Sequence, residues 1–145
     1  MIIGEFRNKL VSGNRLAFPK KFRDEMGAKL IITKGYEGCL VIVDEKGWAS
    51  LIEGAAGGPF VNQSVRDTSR FLLGSAAEIE LDDQGRFVLP TSLKDYSSIS
   101  EEVVFLGLRR WVELWSQDKW TERTKYIDEH SGEIGEKLST LELRP

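Results

Sequence analysis

Two arginines, Arg15 and Arg86, follow a turn-forming stretch by one residue and precede a proline by four. A guanidinium fork in such a place suits two partners: a phosphate, bound as a charge, or the O6/N7 edge of guanine, bound by two parallel hydrogen bonds. Arg7, Lys9 and Lys20 lie close to Arg15 in sequence, and cations grouped on short hairpins neutralise a phosphate backbone. In this reading Arg15 takes a base edge or a close phosphate, and Arg7, Lys9 and Lys20 take the backbone. Asn14 has an amide that fits adenine, but its simpler task is to accept a left-handed turn angle, which asparagine tolerates better than most residues.

Other chemistries lack their parts. Asp82 and Asp83 are adjacent, so their carboxylates diverge in a strand or turn, whereas a general acid/base pair must face one substrate. The single histidine, His130, sits in a polar C-terminal stretch far from any serine that could use it as a base. Gly57-Gly58-Pro59 lacks the lysine and the spacing of a phosphate-cradling loop. One cysteine, Cys39, and one histidine cannot supply a four-ligand zinc site, and Cys39 lies in the apolar run 39–43, where a small buried hydrophobe is expected. No enzyme activity, cofactor, metal or small-molecule substrate is therefore expected.

The elements that must position the arginines occur twice. Residues 82–90 read as a turn in which Asp82 and Asp83 bond nearby backbone and Gly85 takes a positive φ. A strand with Phe87 and Leu89 alternating against Arg86 and Val88 follows, and Pro90 ends it. Residues 10–19 repeat the pattern, matching Leu10, Arg15 and Pro19 to Leu81, Arg86 and Pro90. One residue further on, 31–35 align with 103–107, and the match runs without a gap to Trp48 under Trp120. The chain is thus a tandem repeat, expected as units 1–53 and 75–128, with 54–74 as linker and connecting helix and 129–145 as a C-terminal tail. Gly54 to Pro59 reads as a stretch unable to hold a helix. Asp44 is the expected N-cap of one helix and Ser116 or Asp118 of its counterpart. The tryptophans Trp48, Trp111, Trp115 and Trp120 suit a core or an interface.

Net charge is −3 over 145 residues, but its distribution is uneven. Residues 1–34 carry eight basic groups against Glu5, Asp24 and Glu25, a balance of +5, which leaves −8 on the remainder. A basic end on an acidic body still focuses a polyanion locally, because screening confines such contacts to about 8–10 Å. The N-terminus lacks the basic head and apolar stretch of a signal peptide, and no apolar run approaches a membrane span, so a cytoplasmic protein is expected.

Four stretches carry a resemblance: MIIGEF at the start, RLAFPKKFR at 15–23, residues 64–90 with Arg66 to Gly74 as R-x-x-x-R-x-L-L-G, and FLGLRRWVELWSQDKW at 105–120. With these the chain resembles the MraZ family of bacterial transcriptional regulators, built from two AbrB-like, swapped-hairpin units. The resemblance implies an α+β, mainly β, fold with an internal pseudo-two-fold and sequence-specific binding of promoter or operator DNA. It further implies control of a cell-division and cell-wall gene cluster including the chain's own gene, nucleoid association, and a ring-like homo-oligomer. The family's D-x-x-x-R signature stands in the second unit as Asp82 and Arg86; in the first, Val11 occupies the aspartate position. Asp82, Gly85 and Arg86 are accordingly expected to form a structural turn, with an Asp82–Arg86 ion pair across it, and Arg86 is also a candidate DNA contact. Arg15, with no such carboxylate, is left free. The competing class is an oligomeric interaction or scaffold protein of the same fold with weakened or lost DNA binding.

Overall fold

The computed structural model describes residues 1–141. Eight strands, β1 (Ile3–Lys9), β2 (Arg15–Ala17), β3 (Lys29–Lys34), β4 (Leu40–Val43), β5 (Ala77–Glu80), β6 (Arg86–Val88), β7 (Glu102–Leu108) and β8 (Val112–Ser116), form two antiparallel sheets. The helices are α1 (Lys20–Met26), α2 (Glu45–Ala56), α3 (Gln63–Leu72), α4 (Thr91–Ser97), α5 (Gln117–Glu129) and α6 (Ser131–Ser139). Helices, with a short 3-10 turn at Tyr36–Gly38 included, hold 43% of the described residues and strands 28%, so the fold is α+β with the sheets as scaffold and the helices as covering.

The two halves exchange strands. The large sheet runs β1-β7-β8-β4-β3-β5, so the first strand of each half pairs with the other half: β1 with β7, and β5 with β3. β4 and β8 meet at the centre of the sheet, and β2 pairs with β6 in a separate two-stranded ribbon. Equivalent strands thus meet about one pseudo-two-fold axis, and the exchange is completed within a single chain.

Alternation decides which side chains face inward. Leu16 and Phe87 point from the ribbon into the core, where they meet Leu30, Ile32, Leu40, Ile42, Val103, Phe105, Val112 and Leu114 from one face of the large sheet. Pro19 and Pro90, with φ near −56° and −58°, sit just before α1 and α4, which place Phe22 and Leu93 in the same core. On the opposite face of the sheet, Cys39, Val104, Leu106 and Trp115 pack with Trp120 of α5. Trp115 is the core tryptophan; Trp48, Trp111 and Trp120 are half-buried. The Asp44 carboxylate caps α2 by accepting the Gly47 N–H at 2.7 Å, and Ser116, one of the two expected candidates, caps α5 through the Lys119 N–H at 3.2 Å.

Three local expectations need correction. Gly54, Ala55 and Ala56 are helical: alanine's propensity carries the pair of alanines, and the chain leaves α2 only at Gly57. The repeat register also slips by one residue in β3 and β7. Leu30 and Ile32 occupy the core positions of Val103 and Phe105, not of their sequence-aligned counterparts. The β3–β4 connection is one residue longer than the β7–β8 connection, which restores the alignment at β4 and β8. Finally, the tail is helical through Ser139, with Leu138 and Leu141 exposed; its last four residues lie outside the described residues.

Phe105 is fully buried and meets Phe18 edge-to-face with ring centroids 5.7 Å apart. Phe105→Ala is expected to cost about 3–5 kcal/mol of unfolding free energy, checked by urea denaturation.

Candidate nucleic-acid interface

The two-stranded ribbon and its two turns form a narrow patch. Val11 bridges Arg15 across the first turn; Arg15 pairs with Val88, Ala17 pairs with Arg86, and Asp82 faces Arg86 across the second turn. Directly opposed residues share a face. The outward face therefore carries two rows, Val11–Arg15–Val88 and Asp82–Arg86–Ala17, related by the pseudo-two-fold. Leu16 and Phe87 hold the opposite face in the core. The two arginine Cα atoms sit diagonally, roughly 8 Å apart from strand spacing and rise, or about two base-pair steps.

Each turn is also fastened to the other half. The Leu89 N–H donates to the Asn14 carbonyl at 2.7 Å, and the Phe18 N–H donates to the Gly85 carbonyl at 2.9 Å. Asn14 has φ 56° and its counterpart Gly85 has φ 75°, so asparagine takes the left-handed angle expected of it. Gly85 has a second reason to lack a side chain. The Arg23 guanidinium, reaching over from α1, occupies the space a Cβ would fill.

The Asp82–Arg86 ion pair expected across the second turn is not formed; the carboxylate serves the backbone. Asp82 Oδ1 accepts the Gln84 N–H at 2.8 Å and the Arg86 N–H at 3.0 Å. A short polar side chain two residues from a free amide closes this ring more readily than it reaches a mobile guanidinium. The Arg86 guanidinium instead donates to Gln84 Oε1. The Arg86 N–H above all, with the Gln84 N–H and the positive charges of Arg86 and Arg15, holds the Asp82 carboxyl below the usual carboxylate range against some desolvation.

Arg15 is exposed, and no carboxylate lies within ion-pair distance of it among the described residues. Lys20 is exposed at the start of α1 and pairs with Asp24 at 2.9 Å, a surface contact easily surrendered. The ribbon thus brings together Arg15, Arg86 and Asn14, with Lys20 beside it. Arg7 and Lys9 are placed elsewhere. Asn8 of β1 reaches the ribbon at the Ala17 carbonyl, so by alternation its neighbours point to the other side, where Arg7 meets Gln117 of α5. Reasoning from sequence passed over Arg23 and Val88, and marked Val11 only as the residue in the aspartate position. The signal for Arg23 was its place one helical turn past Pro19; no local signal reveals that Val11 and Val88 flank one arginine.

Outside this patch, Arg70 pairs with Asp67 at 2.7 Å and Arg66 donates to the Phe60 carbonyl at 2.9 Å, so this central arginine pair is engaged locally. Among the described residues no helix is long and apolar enough to cross a membrane.

Fold and site together define a class: a tandem swapped-hairpin protein that displays an arginine pair on its central ribbon. The family described as "MraZ protein, putative antitoxin-like" matches residues 1–71 and 72–141. The chain belongs to the MraZ family. Similar curated proteins, each called "Transcriptional regulator MraZ", come from Syntrophomonas wolfei (36% identity; 97% of this chain and 99% of the relative) and Clostridium beijerinckii (39%; 97% and 99%). A third comes from Moorella thermoacetica (34%; 99% and 100%).

Asp82→Ala removes both carboxylate–amide bonds of the turn and is expected to lower Tm by a few degrees at pH 7. Because the folded pKa is depressed, the carboxylate's contribution is present above the unfolded pKa and is lost as pH falls through the folded value. The Tm gap between wild type and variant should therefore close in acid below the ordinary carboxylate range, checked by melts across a pH series.

Proposed function

We propose that the chain is a DNA-binding transcriptional regulator that sets its β2–β6 ribbon into the major groove, which is wide enough for a two-stranded ribbon. The observation that carries this reading is the placement of Arg15 and Arg86 on one solvent-facing surface, fixed by backbone pairing rather than by flexible loops. Arg15 reads a guanine edge or grips a phosphate, Arg86 does the same once it releases Gln84, and Lys20 supplies a backbone contact. Asn14 serves mainly the turn. The names of the relatives agree with this reading.

The family resemblance extends the proposal: the regulated genes are a cell-division and cell-wall cluster that includes the chain's own gene, and the protein acts in the cytoplasm on the nucleoid. One subunit presents few phosphate contacts on an otherwise acidic body, so several ribbons arrayed along the duplex are needed. A ring-like homo-oligomer is the arrangement proposed. Strand exchange within the chain does not itself call for a second copy, so assembly uses other surfaces.

The test is gel-shift binding to the duplex upstream of the chain's own gene. Arg15→Ala is expected to weaken it by about 1–3 kcal/mol if it reads a base, or to flatten the salt dependence by about one unit of slope per contact if it binds phosphate. Lys9→Ala, on the far side of β1, should change little. Light scattering should show an oligomer at micromolar concentration; a clean monomer that binds DNA fully would overturn the assembly proposal. Wild-type affinity in Arg15→Ala would overturn the ribbon reading.

A further inference from the structure

The two rows of the ribbon face are not chemically equivalent. Arg15 stands between Val11 and Val88, which are 48% and 56% exposed, whereas the corresponding neighbours of Arg86 are Asp82 and Ala17. Single exposed valines are ordinary on a protein surface. Here two of them flank one cation in a single row, on the face that carries the arginines. Neither valine can hydrogen-bond the guanidinium, so they leave its donors outward and frame it with methyl groups. On the other row, the Asp82 carboxylate is turned onto two backbone amides and Ala17 is short and half-buried, so much less apolar surface projects there.

Resting on the DNA-binding reading above, we propose that Val11 and Val88 make the Arg15 row a reader of thymine methyl groups beside the base or phosphate that Arg15 contacts. The thymine C5-methyl is the one apolar group that base pairs present in the major groove, and small apolar side chains are what contact it. Strand spacing places each valine roughly 5 Å from Arg15, which suits bases next to the one the arginine meets. The Arg86 row, with only the Ala17 methyl beside it, has a weaker preference. The ribbon therefore reads its two halves differently: its target is not a palindrome about the ribbon axis, and the Arg15 half is the one enriched in thymine. Val11, standing where the second turn has Asp82, makes this flank apolar where the other is polar.

The test uses the full-length protein and the duplex upstream of its own gene, amplified once with thymine and once with uracil throughout, which deletes the methyl groups and leaves the hydrogen-bonding edges unchanged. Wild type is expected to bind the uracil duplex more weakly, by about fourfold for each methyl it buries. Val11→Ala/Val88→Ala should bind the thymine duplex more weakly than wild type does, with a thymine-to-uracil ratio clearly below the wild-type ratio. A circular-dichroism melt checks its fold, and if the pair melts early, Val88→Ala alone carries the comparison. Tight binding by wild type with a ratio near one would overturn the methyl reading and leave the ribbon reading intact. A uracil penalty that persists unchanged in the alanine variants would assign it to DNA shape and likewise overturn the inference. Failure of wild type to prefer either duplex over unrelated DNA would overturn both readings.

Discussion

The structure depends on a reciprocal backbone clasp between the two turns. Asn14 accepts from Leu89, Gly85 accepts from Phe18, and between these bonds β2 and β6 pair residue for residue. Each such bond contributes about 1 kcal/mol net, but leaving one of these groups unpaired against the core would cost more. The clasp sets where Leu16 and Phe87 enter the core and, on the other side of the same strands, where Arg15 and Arg86 stand. Core and arginine face are two sides of one three-residue pairing, so the arginines are placed to the precision of the core.

Duplication made the ribbon symmetric, and divergence has made its face asymmetric. Unit two fastens its turn with a carboxylate on two amides and pins Arg86 to Gln84. Unit one uses two successive positive-φ residues, Gly13 and Asn14, and a plain bridge from Val11 to Arg15. Backbone geometry thus holds the first turn without a carboxylate, which leaves position 11 open to a side chain that faces outward. The −8 balance beyond residue 34 has a consequence as well: it includes Asp82 and Asp83 of the second turn, so the positive charge near Arg15 and Lys20 is local, and a DNA complex should respond strongly to salt.

Much of this was legible in the sequence because it is local. The repeated arginine–proline spacing located both turns, alternation set Phe87 and Leu89 against Arg86 and Val88, and the turn role of Asn14 followed from its residue type. What stayed hidden depends on which strand lies next to which. Arg7 and Lys9 look equivalent to Arg15 in sequence, but β1 turns them to the α5 side, a fact fixed by Asn8 pointing at Ala17. The slip between β3 and β7 was masked by two aligned glycines, Gly35 and Gly107, although pairing, not identity, decides which residue faces the core. Asp82 and Arg86 spaced four apart suggested an ion pair, but an amide two residues away is a nearer partner for a carboxylate than a side chain that must fold back.

The central claim is that the outward face of the β2–β6 ribbon is what touches DNA. The most direct measurement is photo-crosslinking to the upstream duplex with 4-thiothymidine in place of thymidine, followed by mass spectrometry of the attached peptides. The account predicts crosslinks in residues 10–18 and 81–90. Crosslinks concentrated in β1 or α5, with the ribbon peptides unmodified, would contradict it.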